Sequence, residues 1–247
     1  MSYVLEACVD SVESAMEAVK GGANRLELCG DLIIGGTTPN INLFKLIKEK
    51  TDVKINVLIR PRYGDFCYTQ DEFEIIKRDI KIFKEAGANG VVIGILKPDG
   101  ALDLERMREL MALAEGMHVT LHRAFDVCKN PFEALEEAKN LGVKSILTSG
   151  QKNKCTEGIE LLKELVEKSE DKIEILIGSG INSKNVQQVV SYTKSLAVHT
   201  SGKINVESPM KYRKEDISMG FPILSEYVIL RTDSEEILRI REILEKL

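Results

Sequence analysis

No stretch of the 247 residues approaches the roughly 18 consecutive apolar residues that a membrane-spanning helix needs. A transmembrane helix is therefore excluded, and no membrane partner is expected. The opening residues, MSYVLEACVDS, lack the basic segment and apolar stretch of a secretory leader, so the expected location is cytoplasmic. Cysteine is scarce: Cys8, Cys29, Cys67, Cys128 and Cys155 are odd in number, widely spread and without C-x-x-C spacing. That excludes a disulfide scaffold and a structural zinc module. Positive charge is not in excess either, with 34 Lys and Arg against 39 Asp and Glu and a net charge of −5. A mildly acidic chain lacks the basic face that nucleic acid requires, so no nucleic-acid partner is expected. No Gly-rich dinucleotide fingerprint follows the first strand pattern, and no Ser-His-Asp order reads as a catalytic triad.

What is present is globular: 43% hydrophobic and 30% charged residues. Short β-branched or apolar runs at 4–8, 25–29, 54–60, 90–96, 118–123, 145–149, 172–178 and 195–200 alternate with helical patterns. The helices fall at 11–20, 39–50, 69–86, 103–115, 131–141, 157–168, 185–192 and 234–246. Strict alternation implies parallel strands joined by crossover helices. Eight such units in a chain close to the roughly 250 residues typical of the fold predict a single (β/α)8 TIM barrel spanning residues 1–247. Ser11 is the expected N-cap of the first helix, and Thr69 with Glu72 has capping-box spacing. Gly21-Gly22, Gly87 and Gly142 each follow a helix and precede a strand, as left-handed C-caps do. An open doubly wound sheet is the rival fold, and the missing fingerprint counts against it. Residues 203–233 form an excursion with no clear helix, although 226–231 reads as a short extended run. Because it leaves from the eighth strand, part of it is expected beside the site.

In a barrel of this kind, function sits at the C-terminal strand ends. Strands one and two end in the same pattern, Glu6-Ala7-Cys8 and Glu27-Leu28-Cys29. Alternation puts each Glu on the same face as its Cys. If that face is inward, two carboxylates and two thiols converge. Strands lie roughly 4.8 Å apart, so two thiolates are able to hold one soft ion, Cu(I) in preference to a hard cation. The competing reading is that both cysteines are small core hydrophobes. Glu6 and Glu27 need partners inside a barrel, and Arg60, Arg62 and Arg123 are candidates. They form either a structural ion-pair network or a functional site. His122, Arg123 and Asp126 follow strand five, and Ser149 ends strand six. The loops after strands seven and eight, with Gly178, Gly180, His199, Ser201, Gly202 and Lys203, suit an anion such as phosphate, although Gly there is also plain turn chemistry. His118 starts strand five and is expected to be structural.

Six motifs in order then point to a family: Leu5-Glu6-Ala7-Cys8-Val9-Asp10-Ser11, Gly22-Ala23-Asn24-Arg25-Leu26-Glu27-Leu28-Cys29, Gly35-Gly36-Thr37-Thr38-Pro39, Ile59-Arg60-Pro61-Arg62 with Gly64-Asp65-Phe66, His122-Arg123-Ala124-Phe125-Asp126 and Leu147-Thr148-Ser149-Gly150. Over 5–201 the chain resembles the CutC copper homeostasis family. The resemblance implies a cytoplasmic barrel, a homo-oligomer and a role in copper tolerance, with Cys8 and Cys29 as Cu(I) ligands. Gly178-Ser179-Gly180 departs mildly from the family's Gly-rich run. Two functions remain open. One is Cu(I) binding through Cys8 and Cys29. The other is an enzyme acting on a small anionic or phosphorylated metabolite, with Glu6, Glu27, His122, Arg123 and Asp126 in the chemistry. Arg60, Arg62, Ser149, Gly178, Gly180, His199, Ser201, Gly202 and Lys203 would then hold the anion.

Overall fold

A computed structural model describes residues 3–214, 216–221 and 224–247. Eight parallel strands close into a barrel in sequence order. They are β1 (Val4–Val9), β2 (Arg25–Leu28), β3 (Lys54–Leu58), β4 (Gly90–Ile93), β5 (His118–Leu121), β6 (Ser145–Thr148), β7 (Glu174–Ile177) and β8 (Ala197–Thr200). Closure brings β8 beside β1, with Glu6 opposite His199. Around them lie α1 (Val12–Gly21), α2 (Ile41–Lys48), α3 (Gln70–Glu85), α4 (Leu104–Leu113), α5 (Pro131–Leu141), α6 (Ile159–Ser169), α7 (Val186–Thr193) and α8 (Ser234–Leu244). The (β/α)8 expectation is met.

Local chemistry sets the boundaries. Ser11 caps α1 by accepting from the Ser14 N–H, and Thr69 and Glu72 form the reciprocal box at the start of α3. Gly22, Gly87 and Gly142 take φ of 94°, 82° and 81°, where a side chain would be strained. The repeated Ala-Asn after two of these turns has one job. Asn24 Oδ1 accepts from Leu5 N at 2.9 Å, and Asn89 Oδ1 from Ile55 N at 2.8 Å, so each extends a ladder at the barrel floor. The ladders stop slightly short of the apolar runs. Cys29, Ile59 and His122 lie just past β2, β3 and β5, yet still donate to Val9, Val92 and Ile93.

Alternation divides the barrel into two environments. Leu5, Ala7, Val9, Leu26, Leu28, Val57, Val91 and Ile93 face outward and pack with Ala15, Ala18, Phe44, Ile47, Ile80 and Phe83 of the helices in one continuous core. Each fully buried large apolar side chain stabilises the fold by about 1.5–3 kcal/mol. The inward set carries many polar groups, with Glu6, Arg25, Glu27, Asn56, Thr120, His122 and Ser145 all buried, beside small apolar clusters such as Leu58 with Val92 and Leu147 with Leu176. Such a lumen is stable only if its polar groups find one another.

The 203–233 excursion is more ordered than the sequence pattern suggests. It contains an antiparallel ribbon of β9 (Lys203–Glu207) and β10 (Val228–Thr232), with Lys203 opposite Thr232. Every residue of β9 is exposed, so no buried face marked it as a strand.

Candidate functional site

The strands' C-terminal ends open into a cavity of about 840 Å³. Its floor is set by a polar thread through the lumen. His118 Nε2 lies 2.8 Å from Ser145 Oγ, which donates to Glu174 at 2.7 Å. Arg25 bridges Glu174, at 2.9 Å, to Glu6, and Glu6 holds His199 Nδ1 at 2.8 Å. Glu6 is therefore partnered by Arg25 and His199. Arg60, Arg62 and Arg123 do not pair with either buried glutamate, which corrects the expectation. Arg25 precedes Glu27 by two residues on the same strand face, and that spacing was the available signal.

The two glutamates are tuned oppositely. Burial alone would raise the Glu6 carboxyl, but the Arg25 guanidinium and His199 hold it at about 2. Burial and the nearby Glu6 charge push Glu27 up. Burial disfavours a charged His199, yet Glu27 and Glu6 outweigh it and raise its pKa. Glu6 does not line the cavity, whereas Glu27, Cys8 and His199 do. Cys8 Sγ lies 3.5 Å from Glu27 Oε1 and 3.7 Å from Cys29 Sγ. Cys29 is wholly buried against Leu58 and Val92, just below the cavity surface. Its neighbour Cys29, burial and Glu27 together push the Cys8 thiol well up, so it rests protonated. Cys8, Glu27 and His199 offer ligand atoms within 4.8 Å of one another.

The other candidates separate. Arg60 is buried and donates to the carbonyls of Gly35, Gly36 and Gly64. His122 lines the cavity beside Phe66, its ring centroid 4.7 Å from that of Phe66. Burial and the Arg60 charge depress His122 to about 3. Gly94 makes room for it, since a Cβ there would lie 2.7 Å from the ring. Arg123 and Asp126 reach the rim, but they pair with each other at 2.7 Å. Asp126 also accepts from Thr148, the Ser149 and Gln151 backbone and the Ser149 hydroxyl, so its acceptor capacity is filled by its own loop. Ser149 is engaged there too and does not face the cavity. Gly180, Ser201, Gly202 and Lys203 line it; Gly178 does not. Arg62 lies outside, pairing with Glu72 at 2.6 Å and with Asp65 at 3.2 Å, which corrects its place among the anion-binding residues. The excursion contributes Lys203 and Ile204 to the wall, as expected. Sequence reasoning missed Phe66 and the α8 entrance, where Asp233, Glu236 and Arg239 reach the rim. Every crossover helix of a barrel starts at this end, so first-turn residues of α8 were the available signal.

The sequence matches the family model described as the CutC family over residues 3–204. The chain belongs to the CutC family. Among relatives, a family protein CutC of Parabacteroides distasonis is 43% identical over 239 residues, covering 96% of this chain and 98% of that one. The human copper homeostasis protein cutC homolog is 40% identical over 232 residues, covering 94% and 85%. The crystal structure of a CutC protein from Streptococcus agalactiae superposes with a TM-score of 0.77 at 29% identity, covering 81% of this chain and 99% of that one. The CutC family match ends at residue 204, the second residue of β9. No helix among the described residues is long and apolar enough to cross a membrane.

Proposed function

We propose that this CutC chain binds Cu(I) at the barrel mouth, with Cys8 and Cys29 as thiolate ligands and His199 as the adjacent third donor. The observation that carries this reading is the Cys8 and Cys29 sulfurs 3.7 Å apart, with Glu27 and His199 beside Cys8. Metal–sulfur bonds of about 2.3 Å to sulfurs at that spacing subtend an angle of about 107°, within the range of ordinary coordination. Thiolates and an imidazole suit a soft ion better than a hard one. Nδ1 of His199 is engaged by Glu6, which leaves Nε2 to face an ion. Binding must displace thiol protons, so affinity rises with pH. The name carried by the human relative agrees with a copper-linked role. Five free cysteines suit a reducing, cytoplasmic setting. The test is anaerobic competition with a Cu(I) chelator: the Cys8→Ser, Cys29→Ser double variant should lose binding, and unchanged affinity removes the reading.

A second reading is favoured by the cavity itself. About 840 Å³ is far more than one ion needs and matches a metabolite pocket. In that reading the barrel is an enzyme acting on a small anionic molecule. Glu27 and His199 exchange protons with it, Glu6 orients His199, and Arg123 and Asp126 shape the rim. We also propose a homo-oligomer, since the ribbon and its tip expose Ile204, Met210, Tyr212, Met219 and Phe221 in the single chain.

A further inference from the structure

We propose that the cavity wall formed by Arg60, Phe66 and His122 binds the anionic group of a small organic ligand, a carboxylate or a phosphate. This deepens the second reading above and is independent of copper. Two observations carry it. The first is a buried cation without a counter-ion. Among the described residues Arg60 forms no ion pair, and its acceptors are the neutral carbonyls of Gly35, Gly36 and Gly64. Those bonds fix the guanidinium in place without neutralising it, and its Nε has no acceptor of proper geometry. A buried charge is costly unless compensated. The acids around the same cavity are already occupied or distant in role. Asp126 is held by Arg123, Glu236 by Ser183 and Arg239, and Glu27 by Cys8 on one oxygen.

The second observation is an orphaned donor. His122 Nδ1 accepts from the Ala124 N–H at 3.1 Å, so the neutral ring carries its proton on Nε2. The His122 side chain lines the cavity, and its Nε2 is buried and has no partner. A buried polar atom left unpaired in this way calls for a partner. Both groups sit on one aromatic ring. The Arg60 guanidinium lies 5.0 Å from the Phe66 centroid, and the His122 centroid lies 4.7 Å from it. The wall therefore presents positive charge and an N–H, with no acceptor of its own, on a rigid apolar backing. Only an acceptor-rich, negatively charged group satisfies it. Glu27 Oε2, also buried and unpartnered, then faces the rest of the ligand and selects one that carries a hydroxyl or other donor. The ligand class is a small hydroxy-acid or a phosphorylated polyol.

The test follows the His122 ring by 1H–15N NMR on the full chain, titrated with sodium phosphate, malonate and glycerate. The expected result is a saturable shift of the His122 resonances with at least one of them. His122→Asn keeps an oxygen that accepts from Ala124 N, as a good helix N-cap does, but removes the Nε2 donor. It should weaken binding about tenfold, the effect of losing one hydrogen bond to a charged group. Arg60→Lys should weaken it as well. The titration on metal-free protein, with a Cu(I) chelator present throughout, should give the same shift, so failure of the copper reading leaves this result standing. No saturable shift with any probe overturns the site. So does binding in which His122 stays unmoved, which would keep an organic ligand but place it elsewhere in the cavity.

Discussion

Replacing Glu6 by Gln isolates the electrostatic contribution of the lumen. Glu6 is fully buried, and its carboxyl is held at about 2 against an ordinary 4.5. A shift of that size, at 1.36 kcal/mol per pKa unit, corresponds to about 3 kcal/mol of folding free energy. The sign follows from the depressed value: this stability is fully present above pH 4.5 and is lost as the pH falls toward 2. Glu6→Gln preserves the shape and leaves Arg25 its bond to Glu174. It also lowers the raised pKa of His199, but that effect belongs to the range above the ordinary histidine value of 6.5. Below pH 4.5 the wild-type His199 is protonated in both the folded and unfolded states, and the His122 contribution is common to both proteins, so the difference between the two curves in the acid window reports chiefly Glu6. Urea unfolding of both proteins across that window should show the wild type losing about 3 kcal/mol more than the variant on acidification. Parallel curves for the two proteins would refute the Glu6–Arg25 pair as the dominant interaction in the lumen.

Other outcomes follow from the same geometry. Gly94→Ala should cost about 1–3 kcal/mol, because its Cβ meets the His122 ring at 2.7 Å; an unchanged calorimetric Tm would mean that the ring is free to swing away. His122 should show no NMR protonation step until the pH approaches about 3, and a midpoint near 6.5 would contradict its burial. Because the unfolded chain takes up that proton at the higher pH, this residue makes the fold less stable as the pH drops below 6.5. Arg62→Ala should lower stability by about 1 kcal/mol or less while leaving metal and anion titrations unaltered; a change in either would return Arg62 to the site. Met219→Ser with Phe221→Ser should shift sedimentation toward the monomer, and an unaltered assembly would place the subunit interface elsewhere.

The barrel was legible because its signal is local. Each βα unit repeats an apolar run, a capped helix and a glycine stop, and short-range chemistry is enough to read these. Glu6, Cys8, Glu27 and Cys29 were legible for a related reason. Two-residue alternation on strands flanked by Leu5, Ala7, Leu26 and Leu28 leaves them only the inner face. What the sequence did not disclose was who meets whom. Arg25 reaches Glu174 across 149 residues, and His199 reaches Glu6 across 193. Barrel closure, and not sequence proximity, creates those pairs. Arg62 misled because a basic residue at a strand end reads the same whether it turns inward or, as here, clamps its own loop to Glu72. The β9–β10 ribbon was half legible, since its strands pair with each other and every residue of β9 is exposed.

That ribbon leaves the barrel at Lys203 and rejoins it at Thr232, two residues that sit directly across from each other. Whatever lies between them is therefore mechanically neutral to the barrel, because departure and re-entry occupy neighbouring points on the rim. Length and composition there are free to drift without disturbing strand order or closure. The CutC family match stops at its threshold, as such an appendage would lead one to expect. Changes in the ribbon would therefore reshape the entrance while leaving the charged lumen beneath it in place.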